Sequence, residues 1–335
     1  MKLPVGVAFD GFLPILEAVQ LAREAVSAGA TSLWAAEHLG YREATLVCMA
    51  FATSTDGAVL VPTAVSPYLW HPTPTAMAMT TLAEAAPGRV ALAVGIGNPL
   101  FLQESGKEPI KPVRAVEEFV GCLRALWSGE AVHYSGETIR LAGARMGFRP
   151  ATPIPIYIAA MGPNMLRLAG RFADGVVLTA GLSPEFINQS LSFVDEGARR
   201  AGRDPKSLRK AARLFLGVAR DDGRAKELVR GQLAFVFRNK FFAENIAAAK
   251  IAIDQEAIIA AVSRRDLSGA ARLVPDEAVE TFAVAGTPNH CRDRLKSFID
   301  AGVEEPVVSI VGDAIERGLA LQLVRELTES FVGHK

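Results

Sequence analysis

Two kinds of segment alternate along the whole chain, and this alternation limits the choice of fold. Short runs rich in β-branched and other apolar residues are each followed by a run with apolar residues three or four positions apart, the pattern of a parallel sheet built from βα units. The clearest helices are predicted at 15–26, 44–53, 74–85, 113–127 and 164–173. Eight strands are predicted, at 3–9, 31–36, 58–65, 89–95, 155–159, 175–179, 214–219 and 306–311.

Eight such units in a chain of 335 residues favour a closed (β/α)8 TIM barrel with insertions over an open doubly wound sheet. One insertion, at 131–141, is predicted to be a strand pair around Ser135-Gly136. The sequence contains no Pro/Ser-rich linker, low-complexity tract or short repeat. We therefore predict one domain over 1–335, with a helical excursion at about 222–282 on one rim of the barrel.

Charge balance and hydropathy narrow the classes of partner. Lysine plus arginine (36) equals aspartate plus glutamate (36), so there is no basic field to attract nucleic acid or an anionic membrane. The longest apolar run, 90–102, is interrupted and falls short of a membrane span, and the first twelve residues are too polar for a signal peptide. We expect a cytoplasmic protein that acts on a small molecule.

The cysteines and histidines show no metal-binding spacing. Cys48, Cys122 and Cys291 each lie within a helical apolar pattern, so reduced core thiols are expected rather than a redox or zinc site. His133, His290 and His334 lie outside the predicted strand ends and are expected on the surface or on helices.

The carboxyl ends of the strands are where a barrel of this class carries its active site. The second strand ends at Glu37-His38, a carboxylate beside an imidazole suited to proton transfer near neutral pH, although a purely structural pair is the open alternative. His71, after the third strand, is expected to orient its loop more than to touch a substrate. Asp174 lies at the opposite, stability face and is not expected to be catalytic.

Two glycine-containing turns at strand ends are candidate ligand-binding sites. The stretch 94–98 lacks the third glycine of a dinucleotide fingerprint, and no helix is expected directly after it. Its glycines either let a flat ligand approach the backbone or only relieve crowding inside the barrel. At Met161-Gly162-Pro163, free amides and a helix dipole can face a phosphate or polyol, and the alternative is a plain barrel turn.

These junctions together resemble the bacterial luciferase-like superfamily, in particular its branch that uses the deazaflavin coenzyme F420. The resemblance is densest at 62–98 and 153–181, with a supporting segment at 282–303, and its most specific phrase is AAMGPNMLRLAGRFADGVVL. FMN-using relatives look more like a glycine-serine turn at this point, so Gly162-Pro163 favours the deazaflavin. An FMN-dependent monooxygenase is the alternative, and a non-catalytic flavin-binding barrel is the third reading.

The resemblance implies an oxidoreductase that transfers a hydride between F420 and a small organic substrate, and a homodimer. It implies a non-prolyl cis peptide at Ala64-Val65 behind the ring, and a proton partner in His38, helped by Glu37. It also implies further cofactor-binding positions at Gly97 and Asn98 along the ring and at Ala160, Met161, Gly162 and Thr179 around the side chain and its phosphate.

Some positions depart from the family pattern. Asn98 stands where the sugar-phosphate dehydrogenase branch has an acidic residue, and Arg42 stands where that branch has a tryptophan, which argues against glucose-6-phosphate oxidation. Gly181-Leu182 replaces a basic residue that some members have after the sixth strand. The aromatic and apolar residues of the expected mouth suit a bulky substrate, a sealed rim or a dimer contact: Tyr68, Trp70, Phe101 and Leu102.

Overall fold

The computed structural model describes residues 3–330. Its strands are β1 (Gly6–Phe9), β2 (Ser32–Ala36), β3 (Val59–Thr63), β4 (Leu92–Val94), β5 (Val132–Ser135), β6 (Arg140–Ala144), β7 (Ile156–Ala159), β8 (Gly175–Leu178), β9 (Arg209–Val218), β10 (Val284–Gly286) and β11 (Glu305–Val311). Its first seven helices are α1 (Ile15–Ser27), α2 (Ala44–Ala52), α3 (Pro72–Ala85), α4 (Pro99–Glu104), α5 (Pro112–Trp127), α6 (Pro163–Phe172) and α7 (Pro184–Arg200).

The later helices fill the segment between the last barrel strands and the end of the described chain. They are α8 (Asp222–Phe237), α9 (Ala243–Ala249), α10 (Gln255–Ser263), α11 (Leu267–Arg272), α12 (Asp276–Phe282), α13 (Pro288–Asp300) and α14 (Ala314–Ser330). Short 3₁₀ turns stand at Pro205–Ser207 and Lys240–Phe242. The predicted excursion at 222–282 is therefore helical throughout most of its length.

Eight parallel strands form the barrel, in the order β3-β2-β1-β11-β9-β8-β7-β4. Two parallel bridges, Leu60 with Val90 and Val65 with Val94, join β3 to β4 and close the ring. The predicted TIM barrel is confirmed. That the chain forms one domain remains a prediction.

Two apolar layers hold the barrel together. Outward-facing strand residues pack against the surrounding helices in one large core, while a smaller cluster that includes Trp34, Tyr157 and Val307 fills the barrel interior. Since strand residues alternate between faces, each strand supplies both layers. All three cysteines are buried and free, and burial raises the pKa of the Cys122 thiol to about 11.

The predicted strand pair is present as the antiparallel hairpin β5-β6. The buried carboxylate of Glu118 on α5 accepts hydrogen bonds from the amides of Glu137, Thr138 and Ile139 and from the Thr138 hydroxyl. One charged side chain thus fixes the hairpin loop onto a barrel helix.

Two local predictions were wrong, and one short strand was missed. A six-residue helix, α4, does begin directly after Asn98, because that side chain caps it and Pro99 suits a first helical position. Strand β9 begins at Arg209 rather than Leu214, since polar residues that face partners inside and beside the barrel interrupt its apolar pattern. The short strand β10, which pairs with the end of β9, was not predicted.

No helix within residues 3–330 is long and apolar enough to cross a membrane.

Candidate active site

A cleft opens where β2, β3 and β4 end. Four of the predicted catalytic and cofactor-binding residues line it together: Glu37, Ala64, Gly97 and Asn98. The rest of its lining is Leu39, Ser66, Leu69, Phe101 and Leu102. A wider cleft between the last turns of α1 and α14 contains none of the predicted site residues.

Two of the residues that line this cleft, Ala64 and Gly97, have little or no side chain. A Cβ on Gly95 would lie 3.2 Å from the Cβ of Ala64 and 3.1 Å from that of Ala159, so Gly95 fits the crowding alternative. Gly97 differs, because its φ of +86° belongs to the left-handed region that favours glycine. Ala64, Gly95 and Ala159 thus pack closely together at the ends of β3, β4 and β7.

The non-prolyl cis peptide lies at Thr63–Ala64, one bond before the predicted Ala64-Val65. Thr63 is the last residue of β3 that pairs with β2, and its carbonyl accepts from the amide of Glu37. Val65 already pairs with β4. The chain exchanges β2 for β4 as its pairing partner between these residues. The predicted position of the cis peptide was wrong by one bond. The Val65 side chain packs into the outer core instead of lining the cleft.

His38 is held by the loop that follows β1. Its Nδ1 lies 3.0 Å from the carbonyl oxygen of Asp10, and since a carbonyl can only accept, Nδ1 carries the hydrogen. In the neutral ring Nε2 is therefore free to accept a proton. The ring stacks on Phe12 at 5.4 Å and meets the edge of Phe101 at 6.2 Å between centroids.

The electrostatic surroundings keep His38 neutral. Burial lowers its pKa, and the nearby guanidinium of Arg213 lowers it further, while Asp10 opposes both effects. Arg213 extends from β9, forms an ion pair with Asp10 and donates from Nε to the Ser309 hydroxyl at 2.7 Å. The neutral imidazole therefore predominates near pH 7.

Glu37 does not hydrogen-bond to His38 among the described residues. Its Oε2 accepts from the amide of Ala44 at 3.1 Å, and its Oε1 accepts from Trp70 Nε1 at 3.3 Å. Burial raises the pKa of the Glu37 carboxyl. Glu37 thus lines the cleft and positions Trp70 and the start of α2, and the structure gives no direct relay to the imidazole.

Two residues fix the loop after β4. Asn98 Oδ1 accepts from the amide of Leu100 at 3.0 Å, which sets the direction of α4 and carries Phe101 towards His38. The buried Ser66 hydroxyl donates to the carbonyl of Ile96 at 2.9 Å. The third and fourth loops therefore form one unit.

The first turn of α6 is open at the same end of the barrel. Gly162 caps the helix without a side-chain hydrogen bond, and a Cβ placed on it would meet nothing within 4 Å. Gly162, Pro163 and Asn164 are exposed, whereas Ala160 is buried and Met161 is half-buried. Thr179 is half-buried just after β8, the strand that pairs with β7.

Other sequence candidates have structural roles. His71 caps α3, accepting at Nδ1 from the amide of Thr73. Asp174 accepts from the amide of Ile156 and from Arg124, where β7 begins. His133 and His290 are exposed, and His334 lies outside the described residues.

Several site residues were missed. The Trp70 bond to Glu37, the Asp10–Arg213 pair and the loop-joining Ser66 connect segments far apart in sequence, so no local pattern marks them. Arg238, at the end of α8, was also missed, although a charged residue inside the excursion beside Phe235 and Phe237 was a usable signal.

The described residues fit a flavin-like cofactor. Ala64 and Gly97, which line the cleft with little or no side chain, can lie against a flat ring. The uncapped amides of the first turn of α6 suit a phosphate, since a helix amino terminus favours negative charge. Within residues 3–330, no group of three or more His, Cys, Asp or Glu side chains could hold a metal ion.

The comparison with protein families agrees with this geometry. Residues 9–305 match the family model described as luciferase-like monooxygenase. The chain belongs to this family.

Several named relatives match most of the chain, and some of them are named as F420-dependent. The chain is 30% identical over 306 residues to a 5,10-methylenetetrahydromethanopterin reductase of Archaeoglobus fulgidus, covering 90% of this chain and 92% of the relative. It is 28% identical over 318 residues to an F420-dependent glucose-6-phosphate dehydrogenase of Nakamurella multipartita, covering 91% and 89%. The resemblance stated from the sequence is confirmed.

Solved structures support the fold. The coenzyme F420 dependent tetrahydromethanopterin reductase from Methanopyrus kandleri aligns with a TM-score of 0.87 at 24% identity, covering 98% of this chain and 99% of that one. An FMN complex of the oxygenating constituent of 3,6-diketocamphane monooxygenase from Pseudomonas putida aligns with a TM-score of 0.71 at 18% identity, covering 98% of each chain.

Proposed function

We propose that this protein is an F420-dependent oxidoreductase that transfers a hydride between the deazaflavin and a small organic substrate. The observation that carries the proposal is the placement of His38 beside the cleft, with Nδ1 fixed by the Asp10 carbonyl and Nε2 free. The names of the relatives over nine-tenths of the chain support the choice of cofactor.

When bound, F420 supplies the hydride chemistry. Ala64, Gly97 and Asn98 would hold the ring in the cleft. Ala160, Met161, Gly162 and Thr179 would hold its side chain, with the phosphate on the first turn of α6. The Val65 side chain takes no part in this assignment because it packs into the outer core.

His38 would handle the proton that accompanies the hydride. In the oxidative direction, neutral Nε2 accepts the hydroxyl proton of an alcohol-type substrate while the hydride leaves the adjacent carbon. In the reductive direction, the protonated ring returns that proton. Because its surroundings favour the neutral form, His38 is better suited to accept a proton than to donate one near pH 7.

Glu37 would support this chemistry by position. Its bonds to Trp70 and Ala44 fix one wall of the cleft beside His38. We assign it the role of a positioning residue.

An FMN-dependent monooxygenase is the second candidate, favoured by the alignment with FMN-containing barrels such as the camphane monooxygenase. The start of α6 supports the first candidate, because Gly162-Pro163 stands where FMN-using relatives look more like a glycine-serine turn. Asn98 and Arg42 stand where the sugar-phosphate branch has other residues, so we do not propose glucose 6-phosphate as the substrate.

Oxygen dependence separates the two candidates. Protein supplied with oxidised F420 and a panel of secondary alcohols is expected to reduce F420 without oxygen, seen as loss of the deazaflavin absorbance. Turnover that requires both reduced FMN and oxygen would favour the monooxygenase instead. A homodimer also remains a proposal, which light scattering can test.

A further inference from the structure

Arg238 carries two buried hydrogen-bond donors that have no partner among the described residues. These are Nε and Nη2. The two N–H groups lie on the same side of the guanidinium and point in parallel, which is the edge that binds both oxygens of a carboxylate or phosphate. Leaving such donors buried and unpaired is costly. The Glu104 carboxylate is close enough for its charge to oppose the burial that lowers the pKa of Arg238, but it does not accept a hydrogen bond from either donor. The two donors are therefore open to an acceptor from outside the chain.

Several other half-buried arginines do have an acceptor in the chain. Each of the following donates to a carbonyl or carboxylate oxygen: Arg124, Arg203, Arg213, Arg230 and Arg294. Arg238 instead lies 3.9 Å from the ring centroid of Phe235 and 5.6 Å from that of Phe101. No carboxylate among residues 3–330 pairs with it within 4.0 Å.

The position of Arg238 ties it to the candidate active site. Phe101 lines the cleft and contacts the guanidinium on one side and the His38 ring on the other. The charge of Arg238 is also close enough to lower the pKa of His38. The helical excursion thus places the Arg238 guanidinium beside the mouth of the cleft.

Support of the fold alone does not explain this placement. A cation at the end of α8 is favourable towards the helix dipole, and aromatic rings stabilise it. A lysine would satisfy both conditions without burying two parallel N–H donors that lack an acceptor.

We propose that Arg238 binds an oxyanion of the organic substrate through Nε and Nη2. This inference rests on the proposed function and names its substrate class, an organic carboxylate or phosphate whose reacting carbon lies beside His38. The aromatic neighbours suit the apolar part of such a molecule.

The test uses acetate and inorganic phosphate as probes, titrated by calorimetry at constant ionic strength into the protein with and without F420. The wild type is compared with Arg238→Met, with Arg238→Lys and with Arg264→Met. Arg264 is an exposed arginine of the same excursion, so its variant makes the same charge change away from the cleft. The lysine variant keeps the positive charge and loses the two parallel N–H donors.

We expect saturable wild-type binding of at least one probe, in the presence of F420 as well as without it. Arg238→Met should weaken that binding about 10- to 100-fold. Arg238→Lys should lie in between, and Arg264→Met should match the wild type. Preference for acetate assigns the substrate group as a carboxylate, and preference for phosphate assigns a phosphate.

Three results would overturn the inference. They are a wild type that binds neither probe, an Arg238→Met protein that binds them equally well, and loss of F420 affinity in Arg238→Met as large as the loss of probe affinity. The last would assign the oxyanion to the cofactor. A wild type that binds no F420 but retains Arg238-dependent anion binding would remove the proposed function and leave the anion site.

Discussion

The imidazole of His38 donates from Nδ1 to the backbone carbonyl of Asp10 at 3.0 Å, across a gap of 28 residues. This bond sets the tautomer of the ring and leaves Nε2 as its free nitrogen. The Asp10 side chain is paired with Arg213 at the same time. The loop after β1 therefore controls both the orientation and the charge of the proposed proton carrier.

Replacing His38 tests its role in turnover. His38→Ala should lower kcat for F420 reduction about 10²- to 10⁴-fold, the usual contribution of a general base, while F420 affinity changes little. His133→Ala is the matched control, because His133 is exposed on β5 and away from the cleft. A loss smaller than about tenfold would show that His38 does not carry the proton.

The pH profile should report the lowered pKa of His38. Burial and Arg213 favour the neutral ring, so kcat/KM for substrate oxidation should fall only when the pH drops below about 6.5, the ordinary histidine value. Arg213→Gln removes the cation and leaves Asp10 unpaired, so this acid limb should move to higher pH. NMR titration of the His38 ring protons checks the assignment. An unmoved limb would mean that another group limits the rate.

The start of α6 offers a substitution with opposite effects on binding and folding. Gly162→Asp places a carboxylate at the helix amino terminus, where it should repel the cofactor phosphate and weaken F420 binding at least about tenfold. The same change should leave the thermal midpoint unchanged or slightly raised, because aspartate is a good amino-terminal cap. Gly162→Ala is the control, since its Cβ meets no atom within 4 Å. Equal F420 affinity in Gly162→Asp would place the phosphate elsewhere.

Glu118 should stabilise the protein in a pH-dependent way. Burial opposes its charge, but the hydrogen bonds from Glu137, Thr138 and Ile139 prevail and lower its pKa. Its contribution is therefore present above the unfolded-state pKa of about 4.3 and is lost as the pH falls through the lower folded value.

Glu118→Gln should lower the free energy of unfolding at pH 7 by about 2 kcal/mol, measured by denaturant titration. The exposed Glu130→Gln serves as its control. Equal stability of the two variants would contradict the account of the hairpin.

The barrel could be predicted from the sequence because strand and helix periodicity are local properties of the chain. The strand ends followed from the barrel, which located Glu37, His38, Gly97 and Gly162 correctly at the carboxyl face. The start of β9 was missed because charged residues interrupt its apolar pattern. One of them, Arg213, is accommodated inside the barrel because it pairs with Asp10 and Ser309. Such pairing exists only after folding.

The same limit explains what the sequence did not reveal about the site. Arg238 could be recognised as a candidate anion-binding residue only from its two unpaired donors and its contact with Phe101, both of which depend on the folded structure. The position of the cis bond depends on where β3 exchanges β2 for β4, a detail of pairing that composition does not encode.

The most direct test of the proposed cofactor is a side-by-side fluorescence titration of the purified protein with F420 and with FMN. We expect micromolar or tighter binding of F420, with FMN at least about a hundredfold weaker, equivalent to about 2.7 kcal/mol. A preference for FMN would contradict it and move the protein to the monooxygenase branch. Binding of neither would contradict the assignment of the cleft and of the first turn of α6 as the cofactor site.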